Sequence, residues 1–199
     1  TSDAAGNQLF GLTVLEAPNL TPVNIYSTQT DRVADISSDG SKALVVSLDM
    51  TRFSVVDLNN SNTTVISVPV DYLINNATFS PDGSTIAVSK MDAWEVQLYS
   101  AVDGSEIRTL TGFETAAPVY EAGFKQSPQW MVWHARGTIQ LQEIQSGTMG
   151  PALSHEDFVM ASALTNDGTI LASAASTTRG DVPSPSVTLW DATSGTQLK

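Results

Sequence analysis

The chain has 199 residues, 41% of them hydrophobic, and a formal net charge of −12 from 21 acidic and 9 basic residues. So few Lys and Arg side chains argue against nucleic acid or an anionic membrane surface as the partner, and no run of about 18 apolar residues predicts membrane insertion. Because cysteine is absent, disulfide bonds, thiolate metal sites and a cysteine nucleophile are excluded.

In chain order, the first predicted elements are two strands at residues 8–16 and 21–27. From residue 33 onward one short pattern recurs, an apolar anchor residue followed by a tight turn. Its four copies occupy residues 33–40, 76–83, 121–128 and 161–168, and their anchors are Ile36, Phe79, Phe124 and Leu164. The anchors are 43, 45 and 40 residues apart, a period that is typical of propeller blades.

Each copy begins a unit that is predicted to form four strands. Three copies end in Asp-Gly, which supplies the positive φ of a hairpin turn between the first two strands. A further turn and a fourth strand, as at 107–110, complete the unit. The predicted fold class is therefore all-β, a β-propeller built of four-stranded antiparallel blades. Second strands are predicted at 43–47, 86–89, 130–134 and 170–174, and third strands at 53–58, 96–99, 139–143 and 187–191.

These units give about four and a half blades of a single propeller domain or segment. Since a propeller closes into a ring that protects its sheet edges, we expect the chain to be part of a larger ring. Two alternatives remain open: copies of the chain associate edge to edge, or the N-terminal strands complete the last blade. The predicted divisions are a partial blade at 7–30, blades at 31–70, 71–112 and 113–154, and a nearly complete blade at 155–199.

Two stretches carry a family resemblance. Residues 79–88 (FSPDGSTIAV) and 187–195 (VTLWDATSG) resemble the two halves of a WD40 repeat, and residues 45–58 are closer to the YVTN variety of propeller repeat. The resemblance covers residues 33–199 and implies a WD40-like propeller.

The WD40 resemblance also implies a structural hydrogen-bond network, which only the last unit largely retains. The residues that match it are His155, Ser173, Trp190 and Asp191. The network aspartate has no clean match, and Asp181 is the candidate.

A search for catalytic groups finds no constellation. Of the two histidines, His155 is explained by the structural network, and His134 is predicted to be a surface or loop residue rather than a base. The sequence has no Gly-x-Ser-x-Gly elbow and no His-x-x-x-His pair. The loop residues Asp49, Asp92 and Asp181 do not follow the calcium-loop spacing. No catalytic residue, metal or cofactor is therefore assigned.

The loops that differ between units indicate a binding face. These loops join the second and third strands or link successive blades, and they offer Met, Trp and Arg, which are enriched at the centres of interfaces. The competing interpretation is that Met91 and Trp94 pack against a neighbouring blade. The predicted partner-binding residues are Met50, Arg52, Tyr72, Met91, Trp94, Phe113, Arg136 and Arg179.

Together these features favour a non-enzymatic scaffold that binds a protein or peptide on the face with the variable loops. One alternative is a propeller hydrolase or lyase that uses carboxylates in the central channel. Another is a structural subunit of a surface layer or multi-subunit assembly, which self-associates through open blade edges. Abundant Ser, Thr and Asn with scarce Lys favour an exported bacterial protein.

Overall fold

The computed structural model describes residues 10–16, 21–60, 62–91, 93–112, 121–124, 127, 129–135, 137–155, 158–177 and 184–199. In this part of the chain all regular structure is β-strand. It therefore holds no helix that is long and apolar enough to cross a membrane.

The strands form successive antiparallel sheets in chain order. An N-terminal pair, β1 (Phe10–Glu16) and β2 (Thr21–Thr28), precedes blade 1, which consists of β3 (Asp31–Ile36), β4 (Lys42–Ser47), β5 (Arg52–Asp57) and β6 (Thr63–Pro69). Blade 2 consists of β7 (Ile74–Phe79), β8 (Thr85–Lys90), β9 (Glu95–Ser100) and β10 (Glu106–Thr111). Blade 3 consists of β11 (Glu121–Phe124), β12 (Trp130–Ala135), β13 (Thr138–Glu143) and β14 (Met149–Ser154). Blade 4 contains β15 (Phe158–Leu164), β16 (Ile170–Thr177) and β17 (Ser184–Asp191).

The C-terminal residues partly complete blade 4. Gln197 forms a bridge with Trp190, and the Leu198 N–H donates to the carbonyl of Leu189 at 2.7 Å. The chain thus folds back along β17, where the fourth strand of a blade is expected. With the N-terminal pair and three complete blades, this confirms the predicted β-propeller of four-stranded antiparallel blades.

The four apolar anchors occupy equivalent places. Ile36, Phe79, Phe124 and Leu164 are the last residues of β3, β7, β11 and β15, the first strands of the four blades. Strand β7 contacts both β3 and β11, so the first strands of blades 1 to 3 lie next to one another around the propeller axis. The anchors therefore mark the end of the channel next to the first-to-second-strand turns, which we call the turn face. The opposite end, with the second-to-third-strand turns, is the loop face.

Apolar side chains fill the seams between successive blades. In blades 1 to 3, residues of the second and third strands face the next blade, which explains why these strands are apolar on both faces. These seam residues are Leu44, Phe53 and Val55 in blade 1, Ala87, Val96 and Leu98 in blade 2, and Val132, Ile139 and Leu141 in blade 3, all at most 1% exposed. The equivalent residues of blade 4 are Ala172, Val187 and Leu189, and there Val187 is 69% exposed.

A side-chain cap closes the turn after the first strand. In blade 1, Asp39 accepts hydrogen bonds from the Ser37 hydroxyl at 2.7 Å and from the Ser41 N–H at 3.0 Å. Asp82 and Asp167 cap the equivalent turns of blades 2 and 4 in the same way. The hydroxyl bond first, and then the other bonds, lower the pKa of Asp39 to about 2, and equivalent bonds lower the pKa of Asp82 and of Asp167.

We expect acid to weaken these caps. Because the pKa of each capping carboxylate is lower in the folded chain than in the unfolded chain, its contribution to stability is complete above about pH 4 and is lost as the pH falls through the folded value. A variant with Asn at positions Asp39, Asp82 and Asp167 should have a lower urea midpoint than the wild type at about pH 6, and this gap should narrow towards about pH 2. The exposed control Asp71→Asn should leave the midpoint unchanged. A gap that stays constant over this pH range would contradict the role of the caps.

Candidate functional site

The structure describes five of the eight predicted partner-binding residues and places them on the loop face. All five are partly buried, so none projects fully into solvent. They are Met50, Arg52, Tyr72, Met91 and Trp94, whereas Phe113, Arg136 and Arg179 lie outside the described residues.

Arg52 is engaged within blade 1. Its Nη2 lies 2.8 Å from Oδ1 of Asp31, and its Nη1 donates to the Ser54 hydroxyl at 2.8 Å. Asp31 is only 8% exposed, so the guanidinium compensates a nearly buried carboxylate and ties β5 to β3. These contacts give Arg52 a structural role, and its role in partner binding stays a prediction.

The loop between β4 and β5 is a further copy of the capped turn. Asp49 accepts hydrogen bonds from the Ser47 hydroxyl at 2.6 Å and from the Thr51 N–H at 3.2 Å, and the Ser47 bond is the main reason why the pKa of Asp49 is lowered. Met50 has a φ of 60°, the left-handed conformation that glycine adopts in the turn-face turns. Its side chain packs against the seam between blades 1 and 2. The loop is therefore a defined turn rather than a loose connection.

Tyr72 anchors the link between blades 1 and 2. Its hydroxyl lies 3.0 Å from that of Tyr99, and its ring packs against the core of the seam. The Lys90 ammonium lies 4.7 Å from the centre of this ring and pairs with Glu95 at 2.6 Å. Burial, with the Tyr99 hydrogen bond second, raises the pKa of Tyr72 above its usual range. The phenol therefore stays neutral and fixes the course of the link.

Backbone hydrogen bonds join three loops into one surface. The Ile74 N–H donates to the carbonyl of Met50 at 2.8 Å, and the Met91 N–H donates to the carbonyl of Leu73 at 2.7 Å. We call Met50, Tyr72, Leu73 and Met91 the loop-face patch, because these bonds bring them next to one another. Leu73 is 44% exposed, so a large apolar side chain meets solvent within an ordered backbone frame.

The last unit contains three members of the network that the WD40 resemblance implies. The Trp190 indole N–H donates to the Ser173 hydroxyl at 2.8 Å, and that hydroxyl lies 2.9 Å from Nε2 of His155. Burial lowers the pKa of His155, so its neutral imidazole can accept the serine proton in a hydrogen bond. Asp191 instead caps the following turn, where its carboxylate accepts the Ser194 N–H at 2.8 Å.

The prediction that His134 is a surface or loop residue is wrong. His134 lies within β12, is 3% exposed, and its Nε2 is 2.6 Å from the Ser162 hydroxyl of blade 4. Side chains alternate along a strand, and Val132, two residues earlier, already packs in the seam between blades 3 and 4. His134 therefore also faces blade 4 and ties the two blades together.

The acidic loop residues offer no assembled metal site in the described part of the chain. Within those ranges, no three His, Asp or Glu side chains are placed to hold a metal ion. Asp49 caps its own turn, and Asp92 and Asp181 lie outside the described residues.

Comparison with known proteins supports the fold. No family model matches the sequence, and no curated protein matches it significantly. Among solved structures, the chain is similar to hydrazine synthase from Kuenenia stuttgartiensis, with a TM-score of 0.68 over 91% of this chain and 16% sequence identity. The match covers 56% of that solved chain, so this chain spans little more than half of its length. At this identity the likeness supports the β-propeller fold and carries no information on activity.

Proposed function

We propose that the chain is a non-enzymatic recognition module of the WD40-like kind that binds a protein or peptide at its loop-face patch. The single observation that carries this proposal is the exposure of Leu73 next to Met50 and Met91. The backbones of both methionines are hydrogen-bonded to the link between blades 1 and 2. Apolar anchors in an ordered frame are the usual source of affinity at protein interfaces. The contacts among His155, Ser173 and Trp190 support the WD40-like assignment.

The composition of the patch fits a protein or peptide ligand. Methionine side chains adapt to the shape of an apolar partner, and the backbone bonds to the link reduce the entropy that binding would otherwise cost. At its margin, Lys90 and Glu95 form an ion pair with side chains 23% and 40% exposed, and such charges at a rim favour specificity over affinity. The residues of the patch are therefore suited to binding an apolar side chain rather than a charged ligand.

The contact between Ser173 and His155 does not favour the hydrolase or lyase alternative. Ser173 is 1% exposed and already accepts the Trp190 indole N–H, so substrate would not reach its hydroxyl. The exposed seam residue Val187 fits both the assembly alternative and a further blade of a larger ring. Light scattering over a concentration series distinguishes self-assembly from a monomer that binds a partner.

We expect the loop-face patch to bind peptides selected from a random displayed library, and Leu73→Ser to weaken that binding at least about tenfold, because an apolar anchor is lost. The control is Val102→Ser, since Val102 is 84% exposed but lies in the third-to-fourth-strand turn of blade 2 on the turn face. Calorimetric affinities of the enriched peptides for the two variants provide the measurement. Peptides that bind Leu73→Ser as tightly as the wild type, or that lose affinity for Val102→Ser instead, would overturn the proposal.

A further inference from the structure

A cavity of about 400 Å³ opens at the turn-face end of the propeller axis. Its walls come from all four blades, because the first strands end there side by side. Its position is opposite the loop-face patch, so it is independent of the function proposed above. The lining residues are Asp35, Ile36, Ser38, Phe79, Ser80, Pro81, Phe124 and Asn166.

The cavity has the size of a small-ligand site, since pockets for small molecules have volumes of about 300–1,000 Å³. Its lining is divided about equally between apolar and polar residues. Phe79 and Phe124 are 5% and 8% exposed, so both rings are held by the core and present only a small part of their surface to the cavity. An apolar group of a ligand would contact these ordered walls at little cost in side-chain entropy.

One carboxylate is fixed in this wall. Asp35 accepts the Ile36 N–H at Oδ1 and the Phe79 N–H at Oδ2, each at 2.8 Å. The second bond crosses from blade 1 to blade 2, which holds the carboxylate in place. Each carboxylate oxygen has two lone pairs and can accept more than one hydrogen bond. Asp35 is the only charged residue among the described residues that line the cavity.

The turns at the rim increase the negative potential. Ser38, Pro81 and Asn166 line the cavity, and in the sequence each is followed directly by a capping aspartate. Hydrogen bonds lower the pKa of each of these three caps, so all are ionised near neutral pH. The charges of the described residues therefore attract a cation to this opening and repel an anion. Lys125, which directly follows Phe124 in the sequence, lies outside the described residues.

We propose that this axial cavity binds an ammonium group carried on an apolar body, either a small aromatic amine or the amino terminus of a peptide. Asp35 supplies the counter-charge, and Ile36, Phe79 and Phe124 supply the apolar contact. A cation next to aromatic side chains gains further when it is desolvated. A neutral analogue of the same shape keeps only the apolar contact.

The test is an NMR titration of the whole chain that follows the backbone amides of Ile36 and Phe79. The probes are 2-phenylethylammonium, neutral 2-phenylethanol, and the peptide Phe-Gly-Gly with a free or an acetylated amino terminus. We expect at least one ammonium probe to bind about tenfold or more tightly than its neutral counterpart. Binding of the small amine alone identifies a small-molecule site, and binding of the free peptide alone identifies a peptide terminus. Equal binding of charged and neutral probes, or no shift with any probe, overturns the proposal.

Two arginine variants locate the binding. Ser38→Arg adds a cation and bulk at the cavity and should reduce the affinity for the ammonium probe at least about tenfold. Thr193→Arg adds the same side chain to an exposed turn of blade 4 on the same face and should leave the affinity unchanged. Asp35→Asn should weaken the binding of the ammonium probe but not that of the neutral probe. If the Asp35→Asn variant does not fold, the Ser38→Arg variant alone shows whether the probe binds in the cavity. Equal affinities for the two arginine variants would place the probe elsewhere. Leu73→Ser should not change these affinities, so the two proposals can fail separately.

Discussion

Phe53→Ala is expected to lower the free energy of unfolding by about 3–5 kcal/mol, the range for deleting a buried aromatic side chain. Phe53 is 0% exposed and lies in the seam between blades 1 and 2, where its ring centre is 4.8 Å from that of Tyr99. The substitution leaves a void that the two rigid sheets cannot close, and it removes an aromatic pair. Urea unfolding followed by tryptophan fluorescence measures the change.

A matched pair of valines tests whether the seam itself is the cause. Val96 in blade 2 and Val187 in blade 4 occupy the same place in their blades, but Val96 is 0% exposed and Val187 is 69% exposed. We expect Val96→Ala to cost about 1–3 kcal/mol and Val187→Ala to stay within about 0.5 kcal/mol. Equal losses at the two positions would show that a neighbouring blade is not what makes the residue stabilising.

The fold was predictable because its signals are local. An anchor such as Phe79, the following hydroxyl residue, and Asp-Gly lie within five positions, and together they set the end of one strand and the turn to the next. Repetition then fixes the architecture, since a sheet of about forty residues cannot bury both faces unless it packs against another.

The candidate site was only partly predictable because its decisive contacts are not local. Arg52 has the residue type of an interface, but its partner Asp31 is 21 positions away. The Tyr72–Tyr99 contact spans 27 positions, and the burial of His134 depends on a blade that follows it. The sequence shows which residues are of a type common at interfaces. The packing of the blades determines which of these side chains are still exposed to a partner.

One signal in the loop face was present in the sequence and was missed. Residues 47–51 read Ser-Leu-Asp-Met-Thr, the same pattern of hydroxyl and aspartate as the turn-face turns, with methionine in place of glycine. Because methionine stands in the place of glycine, the Asp-Gly signature does not identify this loop as a capped turn. Leu73, the exposed member of the loop-face patch, was also missed, although it directly follows the predicted Tyr72.

We expect Gly104→Ala to lower the free energy of unfolding by about 2–4 kcal/mol and Gly83→Ala by only about 1 kcal/mol. Both glycines have a left-handed backbone, with φ of 75° and 71°, and an alanine costs about 1–2 kcal/mol in that conformation. The difference lies in the surroundings. A Cβ at position 104 would lie 2.7 Å from Cγ2 of Ile66 and 2.8 Å from Cγ2 of Val68, whereas nothing lies within 4 Å of a Cβ at position 83.

The additional loss at Gly104 follows from the stiffness of its neighbours. Ile66 and Val68 are β-branched residues of β6 whose χ1 angles are restricted, so their methyl groups yield only if the blades move apart, at about 1–3 kcal/mol. Urea midpoints of the two alanine variants measure this difference directly, because the backbone cost is common to both. If the two variants lose the same stability, the contact between the outer turn of blade 2 and the fourth strand of blade 1 is not as tight as the structure has it.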